Sequence, residues 1–286
     1  MSKVDLHIHS TASDGKLSPE DVVGKAAKLG LSVIALTDHD TVDGIAPALS
    51  AAWAYPQLRV IPGVEISTET AGGEVHILGY FIDYTDKELK TSLERFRSSR
   101  LIRAQSMIAK LRKLGVRIEW QRVREIAGDG TIGRPHIAQA MMEKGYIASF
   151  PEAFTRYIGH EGPAYVARDK MTPAEAVTLI MQADGLPVLA HPLTIDDREA
   201  MVIELKKVGL AGIEAYYKDY NTEKRKSLVN LADRLNLIAT GGTDYHGLDD
   251  ITEGMMGDAD VPMESVERLI ALAEQRGLRS ASIPTL

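Results

Sequence analysis

Val4-Asp5-Leu6-His7-Ile8-His9 alternates apolar Val4, Leu6 and Ile8 with polar Asp5, His7 and His9. A period of two is that of a β-strand with one apolar and one polar face. Ser18-Pro19-Glu20-Asp21 follows with an N-cap, a proline at the first helical position and acids in the first turn, so a helix is predicted from there to about Gly30. Leu31 to Thr37, a short and partly β-branched apolar run ending in Asp38-His39-Asp40, reads as a second strand. The same signals recur outward along the chain. Arg59 to Ile66 and Val75 to Ile82 read as strands, Thr172-Pro173-Ala174-Glu175 is a capping box opening a helix, and Leu186 to Ala190 is a strand ending in His191. Ile213 to Tyr217, a helix from about Thr222 to Leu235, and Leu237 to Thr240 before Gly241-Gly242-Thr243-Asp244-Tyr245-His246 complete the series. Alternating strands and helices predict an α/β protein with a parallel sheet, closed or open.

Between about Asp86 and Asp169 the rhythm becomes helical. Leu89, Leu93, Phe96, Leu101, Ile108, Leu111 and Leu114 recur at roughly helical spacing, and shorter helical pieces follow at Ile118 to Ile126, Pro135 to Lys144 and Pro151 to Ile158. We therefore expect an α/β host in two parts, residues 1–88 and 169–286, carrying a helical insertion over 89–168.

The 286 residues include no Cys, which excludes disulfide scaffolds, thiolate zinc sites and cysteine nucleophiles. No stretch approaches the roughly 18 consecutive apolar residues of a spanning helix, and the first residues lack an apolar signal region. A cytoplasmic protein without membrane attachment is expected; the sequence sets no oligomeric state. A net charge of −7 opposes broad contact with nucleic-acid phosphates, so no stable DNA complex is expected.

His7 and His9, at i and i+2, share one strand face, which lets two imidazoles converge on one ion at Zn–N distances of about 2.0–2.1 Å. Alone, His-x-His equally fits two partly exposed strand histidines. Ligand-type residues recur, however, where predicted strands end: His39, Glu65, His191, and Asp244 with His246. The carboxyl ends of strands are where α/β folds build their sites. His76 is out of pattern, near the start of its strand. Asp14, in Ser13-Asp14-Gly15 after the first strand, is at the right end, but a plain turn also explains an Asp-Gly pair. Asp5, Asp38 and Asp40 fit either carboxylates that orient ligand imidazoles or solvated ones. Gly241 and Gly242 fit either backbone passing close to metals or a tight turn.

In order, His7-x-His9, Thr37-Asp38-His39, Glu65, His76, Ala190-His191-Pro192 and Gly242-Thr243-Asp244-Tyr245-His246 resemble the motif set of the PHP (polymerase and histidinol phosphatase) phosphoesterase superfamily. The resemblance implies a distorted (β/α)7 barrel with two or three divalent metals at its C-terminal face. It places a first metal on His7, His9, Glu65 and Asp244, and a second on Glu65 as a bridge with His76 and His191. A third would take Asp14, His39 and His246; several family members have histidine where this chain has Asp14. Six histidines and three carboxylates suit Mn, Zn or Fe better than Mg or Ca, which prefer all-oxygen shells. The implied chemistry is phosphate-ester hydrolysis by a metal-bridging hydroxide, with His7, His9, Glu65, His191 and Asp244 as the catalytic set.

From Arg95 to Arg124 ten basic residues stand against one acid, Glu119. A solvated helix face accounts for most of them; the rest are expected to hold an anionic substrate. Gly133-Arg134-Pro135-His136 opens a helix, whose N-terminus favours anions, beside an arginine that offers phosphate a two-pronged donor. A helical insert after the His76 strand, with such a helix start, is similar to the ribonuclease AM-type PHP enzymes. Those dephosphorylate nucleoside 3′,5′-bisphosphates and trim short RNA from its 5′ end. The resemblance implies Arg134 and His136 as contacts to a substrate phosphate, while His160 is expected to be a surface residue. Two alternatives are a histidinol-phosphate phosphatase, disfavoured by the basic insert, and a non-catalytic metal-binding scaffold, disfavoured by the undegraded ligand set. Three divalent ions would bring six positive charges to a chain of net −7, which leaves a nucleotide or short RNA end acceptable as substrate.

Overall fold

The computed structural model describes residues 3–70, 72–127, 132–166, 171–247 and 255–278. One seven-stranded sheet forms, each strand pairing with the next along the chain: β1 Val4–Ile8, β2 Val33–Leu36, β3 Arg59–Thr70, β4 Gly73–Tyr80, β5 Leu186–Leu189, β6 Gly212–Tyr217 and β7 Ile238–Gly242. The sheet nearly closes into a barrel. Tyr245, just past β7, donates its N–H to the His7 carbonyl at 3.2 Å and accepts from the His9 N–H at 2.9 Å. Glycine permits this approach, because a Cβ on Gly242 would lie 2.4 Å from the Cβ of His7. Close packing of β7 on β1 thus accounts for Gly242, and a Cβ on Gly241 would meet the Tyr216 carbonyl of β6 at 2.1 Å.

The wholly parallel sheet expected from the alternation is not what forms. β1, β2 and β3 run parallel, as do β5, β6 and β7, but β4 is antiparallel to both its neighbours. The reason is the connection: β3 ends at Thr70 and β4 begins at Gly73. A two-residue link can only fold the chain back, whereas a parallel return needs a crossover of roughly a dozen residues or more.

The barrel's helices are α1 Pro19–Lys28 and α2 Ile45–Ala52 before the insertion. The Ser18 side chain accepts from the Asp21 N–H to cap α1, which lays Val22, Val23 and Ala26 against Ile34 and Leu36 of β2. α3 Lys87–Lys113 leads into the insertion, which also contains α4 Trp120–Ala127, α5 Arg134–Glu143 and the short α6 Phe150–Ala153, which runs on into a π-helical turn. The chain then continues through α7 Pro173–Gln182, α8 Arg198–Lys207, α9 Thr222–Arg234 and α10 Met263–Gln275.

Two compact units result, Met1–Leu93 with Met171–Leu286, and Glu94–Lys170. The expected boundary at 168 lies outside the described residues. The helical unit has its own core, in which Met107 and Leu111 of α3 meet Val123, Ile137, Met141 and Ile158. Part of its basic run is spent internally: Arg103 is buried and donates from Nε to the Val166 carbonyl at 2.7 Å, and Arg122 pairs with Glu143 and Glu125. Among the described residues no helix is long and apolar enough to cross a membrane.

Candidate metal centre

His7 lies on β1 and His9 just beyond it, His39 follows β2, His191 follows β5, and Asp244 and His246 follow β7. Glu65 stands within β3. Since β4 runs the other way, a residue near its start reaches the rim that the other strands reach at their ends. His76 pairs in register with Ser67, two residues beyond Glu65, and the antiparallel strand explains its place. His7 and His9 are 0% exposed and Glu65 1%, so the reading of two partly exposed strand histidines does not hold.

Glu65 is the hub. Its Oε2 lies 3.2 Å from His7 Nε2, 3.3 Å from His9 Nε2 and 3.0 Å from His39 Nδ1, while its Oε1 lies 2.9 Å from His76 Nδ1 and 3.2 Å from His191 Nε2. Asp244 Oδ1 completes a set with His7 and His9, at 3.4 and 3.0 Å from their Nε2 atoms. A further set forms around Asp14, whose oxygens are 3.4 Å from His246 Nε2, 3.9 Å from His39 Nε2 and 3.8 Å from His9 Nδ1. Among the described residues three groups therefore have ligand atoms close enough for one ion each: His7, His9, Glu65 and Asp244; His39, Glu65 and His76; and His9, Asp14, His39 and His246. His39 thus belongs to two groups, where the sequence reading gave it only the third.

The donor set fits a divalent ion. Two ligands on one tetrahedral ion at about 2.0–2.1 Å stand roughly 3.3 Å apart, and the four distances linking His7 and His9 to Glu65 and Asp244 run from 3.0 to 3.4 Å. Among the described residues His7 Nε2, both ring nitrogens of His9 and Glu65 Oε2 are buried without a hydrogen-bond partner of acceptable geometry. Buried polar atoms are normally paired, and an ion between them supplies the missing partner.

The three aspartates that fit either orienting imidazoles or lying in solvent are buried and accept hydrogen bonds from backbone N–H and hydroxyl groups. Asp5 accepts from the Thr243 hydroxyl at 2.6 Å and the Thr243 and Gly257 N–H groups. Asp38 accepts from the hydroxyls of Ser10 and Ser13 and the Ser10 N–H, fixing the loop that carries Asp14. Asp40 accepts from the Ser67 N–H at 2.9 Å. These bonds order backbone at the rim. Outside the three groups, Glu214 on β6 meets an imidazole, and sequence reasoning missed it: its Oε1 is 2.9 Å from His7 Nδ1. Tyr217, also missed, donates its hydroxyl to Asp244 Oδ2 at 2.9 Å. At the rim that carries the histidines, the turns after β2, β5 and β7 hold left-handed residues, Asp40 at φ 51°, His191 at φ 28° and Asp244 at φ 51°.

The carboxylates set the protonation of the ion-free cluster. Burial disfavours a charged His9, but the carboxylates of Asp244 and Glu65 outweigh it and push the imidazolium up to about 10. Burial is likewise outweighed at His7, held well above its ordinary value by Glu214, Glu65 and Asp244. At His39 burial prevails and pulls it down to about 4, against the attraction of Glu65 and Asp14.

In the helical unit Arg134 and His136 open α5. The Arg134 guanidinium lies over the Phe154 ring, 5.3 Å from its centroid, and His136 Nδ1 accepts from the Gly133 N–H at 3.0 Å. That bond puts the proton of a neutral His136 on Nε2. His160 stacks on Tyr165, with ring centroids 4.6 Å apart.

Over 248 residues the chain is 34% identical to a 5′-3′ exoribonuclease of Haemophilus influenzae, an alignment covering 85% of this chain and 90% of that protein. It is 32% identical over 251 residues to a 3′,5′-nucleoside bisphosphate phosphatase of Chromobacterium violaceum, covering 86% of this chain and 88% of the relative. Among solved structures, a candidate metal-dependent phosphoesterase of Bifidobacterium adolescentis superposes with a TM-score of 0.77 at 28% identity, over 94% of this chain and 95% of that one. Residues 5–186 match the PHP domain, a span that takes in Glu65 and the antiparallel strand bearing His76, and the chain belongs to the PHP domain family.

Proposed function

We propose that the protein is a metal-dependent phosphoesterase that removes the 3′-phosphate of nucleoside 3′,5′-bisphosphates and trims short RNA from its 5′ end. The observation that carries this reading is the Glu65 hub, one buried carboxylate touching five imidazoles. A neutral imidazole has one lone pair to give. Nε2 of His9, at 3.3 and 3.0 Å from Glu65 and Asp244, is therefore the nitrogen placed to share an ion with them, in preference to Nδ1 with Asp14 at 3.8 Å. One ion would be held by His7, His9, Glu65 and Asp244, a second by Glu65 with His76 and His191, and a third by Asp14, His39 and His246; Mn, Zn or Fe fits these donors. Bound there, divalent ions supply Lewis-acid polarisation of a phosphoryl oxygen and an acidified water. The chain's own part is to fix those donors, to keep the His7 and His9 side away from solvent, and to hold the substrate. Arg134 holds a second phosphate of the substrate with a guanidinium braced on Phe154, and His136 donates to it from Nε2.

Protein loaded with Mn²⁺ or Zn²⁺ is expected to release phosphate from adenosine 3′,5′-bisphosphate and 5′-nucleotides from short 5′-phosphorylated RNA, and to lose both activities in excess chelator. No release from either substrate, or a clear preference for histidinol phosphate, overturns the assignment. Arg134→Ala, which removes a charged hydrogen-bonding partner, is expected to lower kcat/KM for the bisphosphate by about 10–100-fold, mostly through KM. Unchanged KM would remove Arg134 from the substrate site.

A further inference from the structure

We infer that β6, which supplies no ligand, is the positioning strand of the metal centre: Glu214 sets His7 and the His191 turn, and Tyr217 sets Asp244. The inference rests on the metal reading above and concerns groups that reading leaves unused. Glu214 is fully buried. Its Oε1 lies 2.9 Å from His7 Nδ1, and its Oε2 accepts from the His191 backbone N–H at 2.7 Å. One carboxylate thus holds two proposed ligand residues that are far apart in sequence. The first contact puts the His7 proton on Nδ1 and turns the Nε2 lone pair toward Glu65 and Asp244, the arrangement in which a carboxylate orients a ligating imidazole. The second steadies His191 at φ 28°, a backbone conformation that an L-residue keeps only when its surroundings impose it.

Tyr217 does the same for Asp244. Its hydroxyl occupies Oδ2 at 2.9 Å, which leaves Oδ1, the oxygen nearest His7 and His9, to face an ion. Residues three apart on a strand ordinarily point to opposite faces. Here the register slips: Glu214 pairs with Thr240 but Tyr216 with Gly241 and Tyr217 with Gly242. The extra residue brings Glu214 and Tyr217 opposite partners only two apart, hence onto one face, as a β-bulge re-aims side chains. Gly241 makes room for that slip, since a Cβ there would lie 2.1 Å from the Tyr216 carbonyl.

The test measures zinc affinity, by competition with a chelating dye, for the full chain, Glu214→Gln and Tyr217→Phe, together with the imidazole ¹⁵N–¹H spectrum of the zinc-loaded wild-type protein. Glu214→Gln is expected to weaken zinc binding by about 10–100-fold and Tyr217→Phe by about tenfold. His7 in the wild-type protein should show a proton on Nδ1, hydrogen-bonded to a carboxylate, and none on Nε2. The spectrum needs no variant, and Tyr217→Phe removes a single hydroxyl, so the test stands even where Glu214→Gln does not fold. Affinities within twofold of wild type for both variants, or a His7 proton on Nε2, overturn the inference. A wild-type chain that binds no zinc overturns the metal reading beneath it, a result distinct from the other two.

Discussion

Glu65→Gln is expected to lower turnover by at least about 10³-fold, on the scale seen when a group stabilising transition-state charge is removed. The substitution keeps the volume and changes the donor. Glu65 presents Oε2 to His7, His9 and His39 and Oε1 to His76 and His191. An amide can put its oxygen on one side only, and its NH₂ on the other has no lone pair for an ion and no capacity to accept from an imidazole. Whichever way the amide turns, one group loses its carboxylate. Metal analysis alongside turnover checks this: the variant should bind fewer ions per chain than the wild type. Full metal content with turnover within tenfold of the wild type would remove Glu65 from the centre.

Metal uptake is expected to expel protons, and to strengthen steeply with pH. In the ion-free fold His9 keeps its proton up to about 10 and His7 is raised as well, whereas an ion binds only the neutral imidazole. Each displaced proton makes apparent affinity rise about tenfold per pH unit, so two give up to ~100-fold per unit below the shifted values. Calorimetric titration in buffers of different ionisation enthalpy counts the protons; none released at pH 7 would contradict the assignment of His7 and His9 as ligands. The stability of the ion-free protein runs the opposite way. His9 is raised from 6.5 in the unfolded chain to about 10 in the fold, so its contribution is complete below about 6.5 and is lost as pH rises through about 10. Thermal unfolding in chelator should therefore move to lower temperature across that window, and added metal should reverse the trend.

Much of this was legible from local chemistry. The barrel helices α1, α7 and α9 were readable, and each carries a side-chain cap, from Ser18, Thr172 and Asn221. The helices α2, α8 and α10 went unread, and none of the three has a side-chain cap bond at its start. The reversed β4 was written in the short gap between two strand signals, too short for a crossover, and reading it would have put His76 at the rim from the outset. Glu214 left a fainter trace, a carboxylate in the middle of Gly212-Ile213-Glu214-Ala215-Tyr216. A charge inside a buried strand demands a partner, but that partner, His7, is 207 residues away and only the barrel brings the two together. Asp5, Asp38 and Asp40 stayed open between two readings because proximity in sequence to a histidine says nothing about which way a strand-end carboxylate turns.

The left-handed turns at Asp40, His191 and Asp244 bear on timing. Conformations of this kind outside glycine persist only where the surrounding structure imposes them, and contacts within the barrel do so here: the Asp40 N–H donates to the Glu65 carbonyl at 2.9 Å and the His191 N–H to Glu214 Oε2 at 2.7 Å. An ion entering such a centre need not wait for loops to fold around it. The pace of loading is then expected to follow two small departures, the shedding of the ion's own water and the loss of the imidazole protons, rather than movement of the polypeptide.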